Sequence, residues 1–165
     1  MKTGEKGIEL IKSFESLHDG DLTIIGLQPK MCPAGIWTEG YGRAMRDSKG
    51  AFIKGKENKS KAYENISVNN AVEAEKALSE DLKTYERIVI SRVKVQLTQN
   101  EFDALVSFTY NTGGSTTVFN MLNRSEKPEV LRSWFESHYI RGGGKVLNGL
   151  IRRRKAEMDL FFSKL

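Results

Sequence analysis

Three side chains that could do chemistry lie within or before one short stretch of the chain, residues 36–42. Glu15 supplies a carboxylate, Cys32 a thiol and Thr38 a hydroxyl, and such groups can exchange protons or orient a water molecule. Strand-forming residues and two glycines fill the stretch, and period-two spacing places Thr38 and Glu39 on opposite faces of a strand. Glycine inside a strand removes a side chain where a ligand must come close. The pattern indicates the wall of a cleft, although an ordinary twisted hairpin would show it equally.

A helix and a small sheet must position these groups. Apolar residues at helical spacing predict a helix over residues 4–18, with Glu15 on its last turn at the edge of the apolar stripe. Over residues 19–67 the apolar runs are short and Gly, Pro, Asp and Asn are frequent, which predicts a small sheet with hairpins. Lysines are dense over residues 54–62, which we interpret as a solvated, mobile loop that could also meet an anionic substrate.

The second half of the chain is predicted to be helical. Helical spacing over residues 69–93 predicts one long helix, or two joined by a bend. Thr98 and Glu101 form a capping box that opens the next helix, which is expected to end at Gly113. Shorter helices are predicted near 115–124, 128–139 and 149–164, with a loop at 142–144 and Asn148 as the cap of the last helix.

The composition is that of a globular protein with a basic surface. The chain has 165 residues, enough for one domain or for two lobes that share a helix. Its net charge of +5 favours polyanionic partners such as nucleic acid, anionic lipid or wall polymer, without choosing among them. One cysteine excludes an internal disulfide framework, and two histidines disfavour a dedicated zinc site. No cofactor and no metal are therefore expected.

The first residues carry no pattern of a targeting signal. The N-terminus is polar and leads directly into the first predicted helix, without the apolar segment of a secretory signal. No apolar run approaches membrane-spanning length. We therefore expect synthesis in the cytoplasm without stable membrane insertion, and an extracytoplasmic target would have to be reached by release or delivery.

The chain resembles the phage-type lysozymes, or endolysins, in three blocks that occur in the same order. The blocks are Phe14-Glu15 with Cys32-Pro33-Ala34-Gly35-Ile36-Trp37-Thr38-x-Gly40-Tyr41-Gly42, then Leu97–Phe108 with Asn111 and Gly113, then Gly143–Leu147 with Gly149-Leu150-x-x-Arg153-Arg154-x-Ala156-Glu157. The resemblance spans nearly the whole chain and implies an α+β, lysozyme-like fold. It implies a single domain over residues 1–165, in which a long helix joins a small β-hairpin lobe (about 19–67) to a larger helical lobe (about 68–165 plus the N-terminal helix).

The resemblance also implies a reaction, the hydrolysis of the β-1,4 bond between N-acetylmuramic acid and N-acetylglucosamine in bacterial peptidoglycan. The family places a Glu on the first helix, an Asp or Cys in the hairpin, and a Thr six residues further on, which correspond here to Glu15, Cys32 and Thr38. Glu15 would be the general acid, and the other two would place the attacking water on the opposite face of the sugar. By analogy alone, Asn111 and Ser115 are expected to contact the glycan. The enzyme is expected to act as a monomer on peptidoglycan.

The sequence departs from the family pattern around the expected cleft. The gap between Glu15 and Cys32 is longer than is usual in the family, which indicates an insertion near residues 19–29. Glu39 and Arg43 replace the more usual aliphatic residue and histidine. Cys32 itself is not a carboxylate, so it could act as a weak base, orient water, or be replaced functionally by a nearby carboxylate. Those carboxylates are Asp19, Asp21 and Glu39, the last disfavoured by its place on the face opposite Thr38.

The sequence does not decide two further contacts of Glu15, one with an arginine and one with a histidine. The family pairs its glutamate with an arginine from the start of the final helix, and the candidates here are Arg152, Arg153 and Arg154. His18 lies about one helical turn after Glu15 and could modulate that carboxylate, or simply end the helix near water.

The residues favour a particular stereochemical course of the hydrolysis, and they leave open a rival function without catalysis. A retaining glycosidase needs a nucleophilic carboxylate close to the acid, and a cysteine supplies none, so inversion is expected. The rival is a catalytically silent peptidoglycan-binding module that keeps the fold. A basic nucleic-acid-binding protein is remote, because the sequence has no recognition-helix or RNA-binding motif.

Overall fold

The computed structural model describes residues 1–164, which form short strands and several helices. The helices are α1 (Glu5–Glu15), α2 (Lys59–Glu64), α3 (Ala71–Arg92), α4 (Gln99–Thr112), α5 (Thr116–Asn123), α6 (Pro128–Ser137) and α7 (Asn148–Phe161). The strands are β1 (Lys30–Met31), β2 (Trp37–Glu39), β3 (Arg43–Ala44), β4 (Arg141–Gly142) and β5 (Lys145–Val146). Among these described helices, none is both long and apolar enough to cross a membrane.

The chain divides into two compact units. The hairpin unit comprises Glu15–Asp81, and the helical unit comprises Met1–Phe14 with the chain from Leu82 onward. The division falls inside α3, which is one continuous helix rather than two joined by a bend. Helices together with small antiparallel sheets confirm the α+β fold class.

The sheet of the hairpin unit is antiparallel, in the order β1-β2-β3, and it pairs Thr38 with Lys30 on one side and with Ala44 on the other. Its apolar cluster contains Trp37, Met45, Ile53 and Ala62. Burying these side chains is the main stabilising contribution available to so small a sheet. The indole N–H of Trp37 also donates to the Gly55 carbonyl at 2.8 Å, which satisfies the polar atom of a buried ring.

Three sequence-based predictions for residues 4–67 were partly wrong. The first helix ends at Glu15 rather than at residue 18, because Ser16 adopts a left-handed conformation with φ 53°. The strand expected over 36–42 covers only β2, since the chain turns after Glu39 through glycines with positive φ. The basic segment 54–62 is not simply a loop, because a 3₁₀ turn and the start of α2 occupy it.

In the helical unit α4 is the most buried helix. Every residue from Phe102 to Thr109 is buried, and the helix packs against α7. The predicted capping box opens α4, and Gly113 closes it in the left-handed conformation. The buried carboxylate of Asp103 accepts hydrogen bonds from the backbone N–H groups of Gly4 and Gly7, at 2.8 and 3.2 Å. It therefore satisfies free donors at the start of α1 and complements the positive end of that helix.

The end of this unit differs from the prediction in two details. Of residues 142–144, Gly142 ends β4, whereas Gly143 and Gly144 form the turn to β5, so the predicted loop is shorter and belongs to a two-stranded hairpin. Asn148 is the first residue of α7 rather than its cap, and Leu147 holds the capping position without a side-chain bond. Phe119 and Phe135 are buried in the core.

Candidate active site

The hairpin unit contains a cavity of about 810 Å³ that collects several polar side chains. Glu15, His18, Cys32 and Thr38 all line it, together with Gly42 and the β1 residue Lys30. The three catalytic residues expected from the sequence are thus brought to one cavity, and His18 joins them. A pocket of this size can hold part of an oligosaccharide chain.

Glu15 reaches the cavity from the last position of α1. The left-handed Ser16 ends the helix there and turns the chain, and the His18 backbone N–H then donates to the Gly40 carbonyl at 2.8 Å. Gly42 explains how closely the carboxylate approaches the turn after β2: a Cβ on Gly42 would lie 3.4 Å from Glu15 Oε2. With φ 84°, Gly42 also occupies a conformation that other residues rarely adopt. A side chain at this position would be strained and would crowd the carboxylate.

Cys32 begins the tight turn between β1 and β2. Its backbone N–H donates to the Ile36 carbonyl at 2.8 Å, and its carbonyl accepts from the Gly35 N–H at 2.9 Å. The thiol is free and partly buried, and it lines the cavity. The turn therefore fixes the backbone on which the sulfur is carried.

Thr38 and His18 are joined by a hydrogen bond that also defines the state of the imidazole. The Thr38 hydroxyl donates to the Lys30 carbonyl at 2.8 Å, and its oxygen lies 2.8 Å from His18 Nδ1. A hydroxyl has only one proton to donate, so in this arrangement Nδ1 must be the donor to Thr38. A neutral His18 in this arrangement carries its proton on Nδ1 and leaves Nε2 as an acceptor.

The surroundings of His18 favour the neutral ring. Partial burial lowers the pKa of His18 below 6.5, and the positive charge of Lys30 lowers it further, while Glu15 acts in the opposite direction. The imidazole is therefore mostly uncharged at neutral pH.

The other carboxylates considered from the sequence serve the fold. Glu39 accepts hydrogen bonds from the backbone N–H groups of Ser67 and Val68, at 2.9 and 3.1 Å, and from the Ser67 hydroxyl. Asp19 accepts from the Asp21 and Gln28 N–H groups, and Asp21 accepts from Thr23. Asp19, Asp21 and Glu39 do not line this cavity, so Glu15 is its one carboxylate among residues 1–164.

The segment 19–29, where the sequence predicts an insertion, forms a closed loop next to β1. The Gly20 N–H donates to the Gln28 carbonyl at 2.9 Å, and a Cβ on Gly20 would lie only 2.0 Å from the Pro29 carbonyl oxygen, so any side chain would clash. The tip of the loop exposes Leu22 and Ile25, which are 87% and 101% accessible.

The remaining expected site residues lie in the helical unit. Asn111 is exposed, and its Oδ1 accepts a hydrogen bond from Arg154 at 2.8 Å. Ser115 is buried at the capping position of α5, without a side-chain bond to that helix. Their roles as glycan contacts stay predictions.

Two of the three candidate arginines are buried around one carboxylate. Arg153 and Arg154 lie 3.3 and 2.9 Å from Glu157, which also accepts from the Ser107 hydroxyl at 2.9 Å, whereas Arg152 is exposed. Burial raises the pKa of Glu157 from 4.5 to about 7, against the opposing charges of both arginines. The Arg-Arg and Glu residues of the third sequence block thus lie in one buried cluster, and the pairing of one of the three arginines with Glu15 stays a prediction.

Comparison with known proteins identifies the family of the chain. The family model described as phage lysozyme matches residues 24–157. The chain is 30% identical over 172 residues to an endolysin of Acyrthosiphon pisum secondary endosymbiont phage 1, covering 99% of both chains. It is 31% identical to an endolysin of Bacillus phage B103, of which it spans only 55%, and it similarly spans about half of the Bacillus phage PZA endolysin.

Solved structures extend the same comparison to the fold. The chain resembles an endolysin from Escherichia coli O157:H7 phage FAHEc1, at 32% identity and a TM-score of 0.70 over 98% of this chain and 94% of that one. It also resembles the muramidase domain of SpmX from Asticaccaulis excentricus, at 29% identity and a TM-score of 0.71 over 99% of both chains. With a family model that matches most of its length and relatives that align from end to end, the chain belongs to the phage lysozyme family.

Proposed function

We propose that this protein is a peptidoglycan hydrolase that cleaves the β-1,4 bond between N-acetylmuramic acid and N-acetylglucosamine. The observation that supports this most directly is the cavity in which Glu15, Cys32 and Thr38 meet. A glycosidase needs a proton donor on one side of the scissile bond and a place for water on the other. Glu15 at the end of α1 can supply the proton, and Thr38 on β2 can hold the water. Both side chains line the same cavity.

In the proposed reaction Glu15 donates its proton to the leaving oxygen. A water molecule held on the side of Cys32 and Thr38 attacks the anomeric carbon as the glycosidic bond breaks. A retaining mechanism would need a second carboxylate as nucleophile, and the other nearby carboxylates bind backbone groups of the fold. The reaction is therefore expected to invert the anomeric configuration.

Zymography on bacterial cell walls tests the proposal. The parent protein should clear the gel, and Glu15→Gln should abolish clearing, because an amide has no proton to donate in place of the carboxylic acid. Glu64→Gln, a change at an exposed glutamate on α2, is the matched control and should clear the gel like the parent. Clearing by Glu15→Gln at the parent's rate would refute the role of Glu15.

One observation favours a second candidate, the silent peptidoglycan-binding module. Within the described part of the chain the cavity has one carboxylate, whereas many glycosidases use two. Such a module would sediment with purified peptidoglycan but release no reducing ends from it, in the parent as in Glu15→Gln.

We place the action of the protein at the cell wall, reached after release or delivery, and we propose that it acts as a monomer.

A further inference from the structure

The proposed hydrolysis leaves one step without an assigned residue. An inverting reaction needs a base that takes a proton from the attacking water. Asp19, Asp21 and Glu39 accept hydrogen bonds within the fold, and Cys32 offers a thiol, which is a poor proton acceptor while it is neutral. Among the residues that the structure describes, the cavity contains one further side chain suited to accept a proton, the imidazole of His18.

The hydrogen bonds of His18 leave that imidazole ready to accept. Its backbone N–H is tied to the Gly40 carbonyl, and its Nδ1 donates to Thr38, whose own proton goes to the Lys30 carbonyl. Within residues 1–164, Nε2 makes no hydrogen bond of its own. Two successive hydrogen bonds therefore link the His18 ring to the Thr38 hydroxyl and that hydroxyl to the Lys30 carbonyl. They fix the tautomer in which Nε2 holds a lone pair. Orientation of a base by a third group through its other nitrogen is a recurring arrangement in hydrolases.

We infer that His18 is the general base of this site and accepts a proton from the attacking water through Nε2. The inference rests on the proposed function and assigns its missing step. The water oxygen bonds to the anomeric carbon, the bond to the leaving oxygen breaks, and that oxygen takes the proton of Glu15. The second proton of the reaction passes from the water to Nε2. The step ends with Glu15 as a carboxylate and His18 as an imidazolium, and proton exchange with solvent returns both to their starting states.

In this assignment Thr38 positions the base. Its hydroxyl accepts from Nδ1, so it stabilises the imidazolium only through the bond it already makes. Cys32 contributes a polar wall beside the water and need not ionise. The insertion that lengthens the segment between Glu15 and Cys32 starts directly after His18.

The charged and titratable groups around the ring predict its pH dependence. Lys30 on β1 and burial lower the pKa of His18, Glu15 at the end of α1 raises it, and Cys32 faces the same cavity from the following turn. The base is active only when neutral. The acidic limb of kcat/KM should therefore follow protonation of His18 and lie below pH 6.5, the ordinary pKa of histidine.

The key variant is His18→Asn, whose amide nitrogen can still donate to Thr38 but which has no basic nitrogen at the position of Nε2. We expect kcat on soluble peptidoglycan fragments to fall about 10²- to 10⁴-fold, with KM little changed and the acidic limb lost. His138→Asn is the matched control, since His138 is exposed in the helical unit, and it should keep the parent's rate and pH profile. A His18→Asn variant that keeps the parent's kcat and acidic limb would overturn the inference.

A measurement without turnover tests the same assignment if the variant folds poorly. Nitrogen-15 NMR of the parent should show the Nδ1-protonated tautomer of His18 at pH 7.5, with a pKa below 6.5. A ring protonated on Nε2 would contradict the inference directly. If the parent protein hydrolyses no peptidoglycan, the proposed function itself fails, whereas lysis that survives His18→Asn removes only the base assignment.

Discussion

Glu39 offers a sharp test of whether a carboxylate beside the site serves the fold or the chemistry. It is 5% exposed, its Oε2 accepts from the Ser67 and Val68 N–H groups, and its Oε1 accepts from the Ser67 hydroxyl. In Glu39→Gln the amide oxygen can keep both backbone bonds, and the Ser67 hydroxyl can rotate to accept from the amide. The change therefore removes mainly the charge.

The expected cost follows from the strength of these bonds. Hydrogen bonds to charged groups contribute about 1.5–3 kcal/mol and neutral ones about 0.5–1.5, so losing the charge on two bonds should cost about 2 kcal/mol. Glu39→Ala leaves the buried Val68 N–H and the more accessible Ser67 N–H without their acceptor. It should cost about 2–4 kcal/mol in the free energy of unfolding.

Urea unfolding followed by tryptophan fluorescence can measure this, because Trp37 lies in the apolar cluster of the same unit. Below the unfolding transition, Glu39→Gln should still hydrolyse peptidoglycan at close to the parent's rate. Glu64→Gln is the control for removing an exposed charge on the same unit. A Glu39→Gln variant with the parent's stability and no activity would refute the reasoning and make Glu39 a catalytic carboxylate.

Three further changes test other contacts. Thr38→Val removes the hydrogen bond to the Lys30 carbonyl at similar side-chain volume, and urea unfolding should show a loss of about 1–3 kcal/mol together with a large fall in kcat. Gly42→Ala puts a methyl group 3.4 Å from Glu15 Oε2 at φ 84°, and should lower thermal stability by about 1–2 kcal/mol and reduce the rate of lysis. Because burial raises the pKa of Glu157 from 4.5 to about 7, its protonated form stabilises the fold below pH 4.5 and this contribution is lost as the pH rises through 7. Between pH 5 and pH 8 the free energy of unfolding in urea should fall less in Glu157→Gln than in the parent. The same pH dependence in both proteins would contradict the raised pKa of Glu157.

Much of the helical unit could be predicted from sequence because its signals are local. The capping box at Thr98 and Glu101 and the left-handed Gly113 fixed both ends of α4. Helical spacing predicted α3 to within two residues at either end. These signals depend on backbone donors and side-chain periodicity within one element, so no tertiary contact is needed to read them.

The predictions that failed depend on contacts between distant residues. The end of α1 at Glu15 depends on a left-handed serine, a conformation with no strong sequence signal, and on the hydrogen bond of His18 to Gly40. The burial of Arg153 and Arg154 around Glu157 likewise depends on the packing of α7 against α4, which the sequence does not show. His18 was placed near Glu15 by spacing alone, but its bond to Thr38 appears only once β1 and β2 are paired.

The most direct test is the anomeric configuration of the first product, followed by proton NMR during turnover of peptidoglycan fragments by the parent protein and by Glu15→Gln. With Glu15 as the acid and no second carboxylate from residues 1–164 in the cavity, the parent should first release the α-anomer from the β-linked glycan, and the variant should release neither anomer. A β-anomer as first product, or equal release by Glu15→Gln, would contradict the assignment of Glu15 as a proton donor facing an activated water.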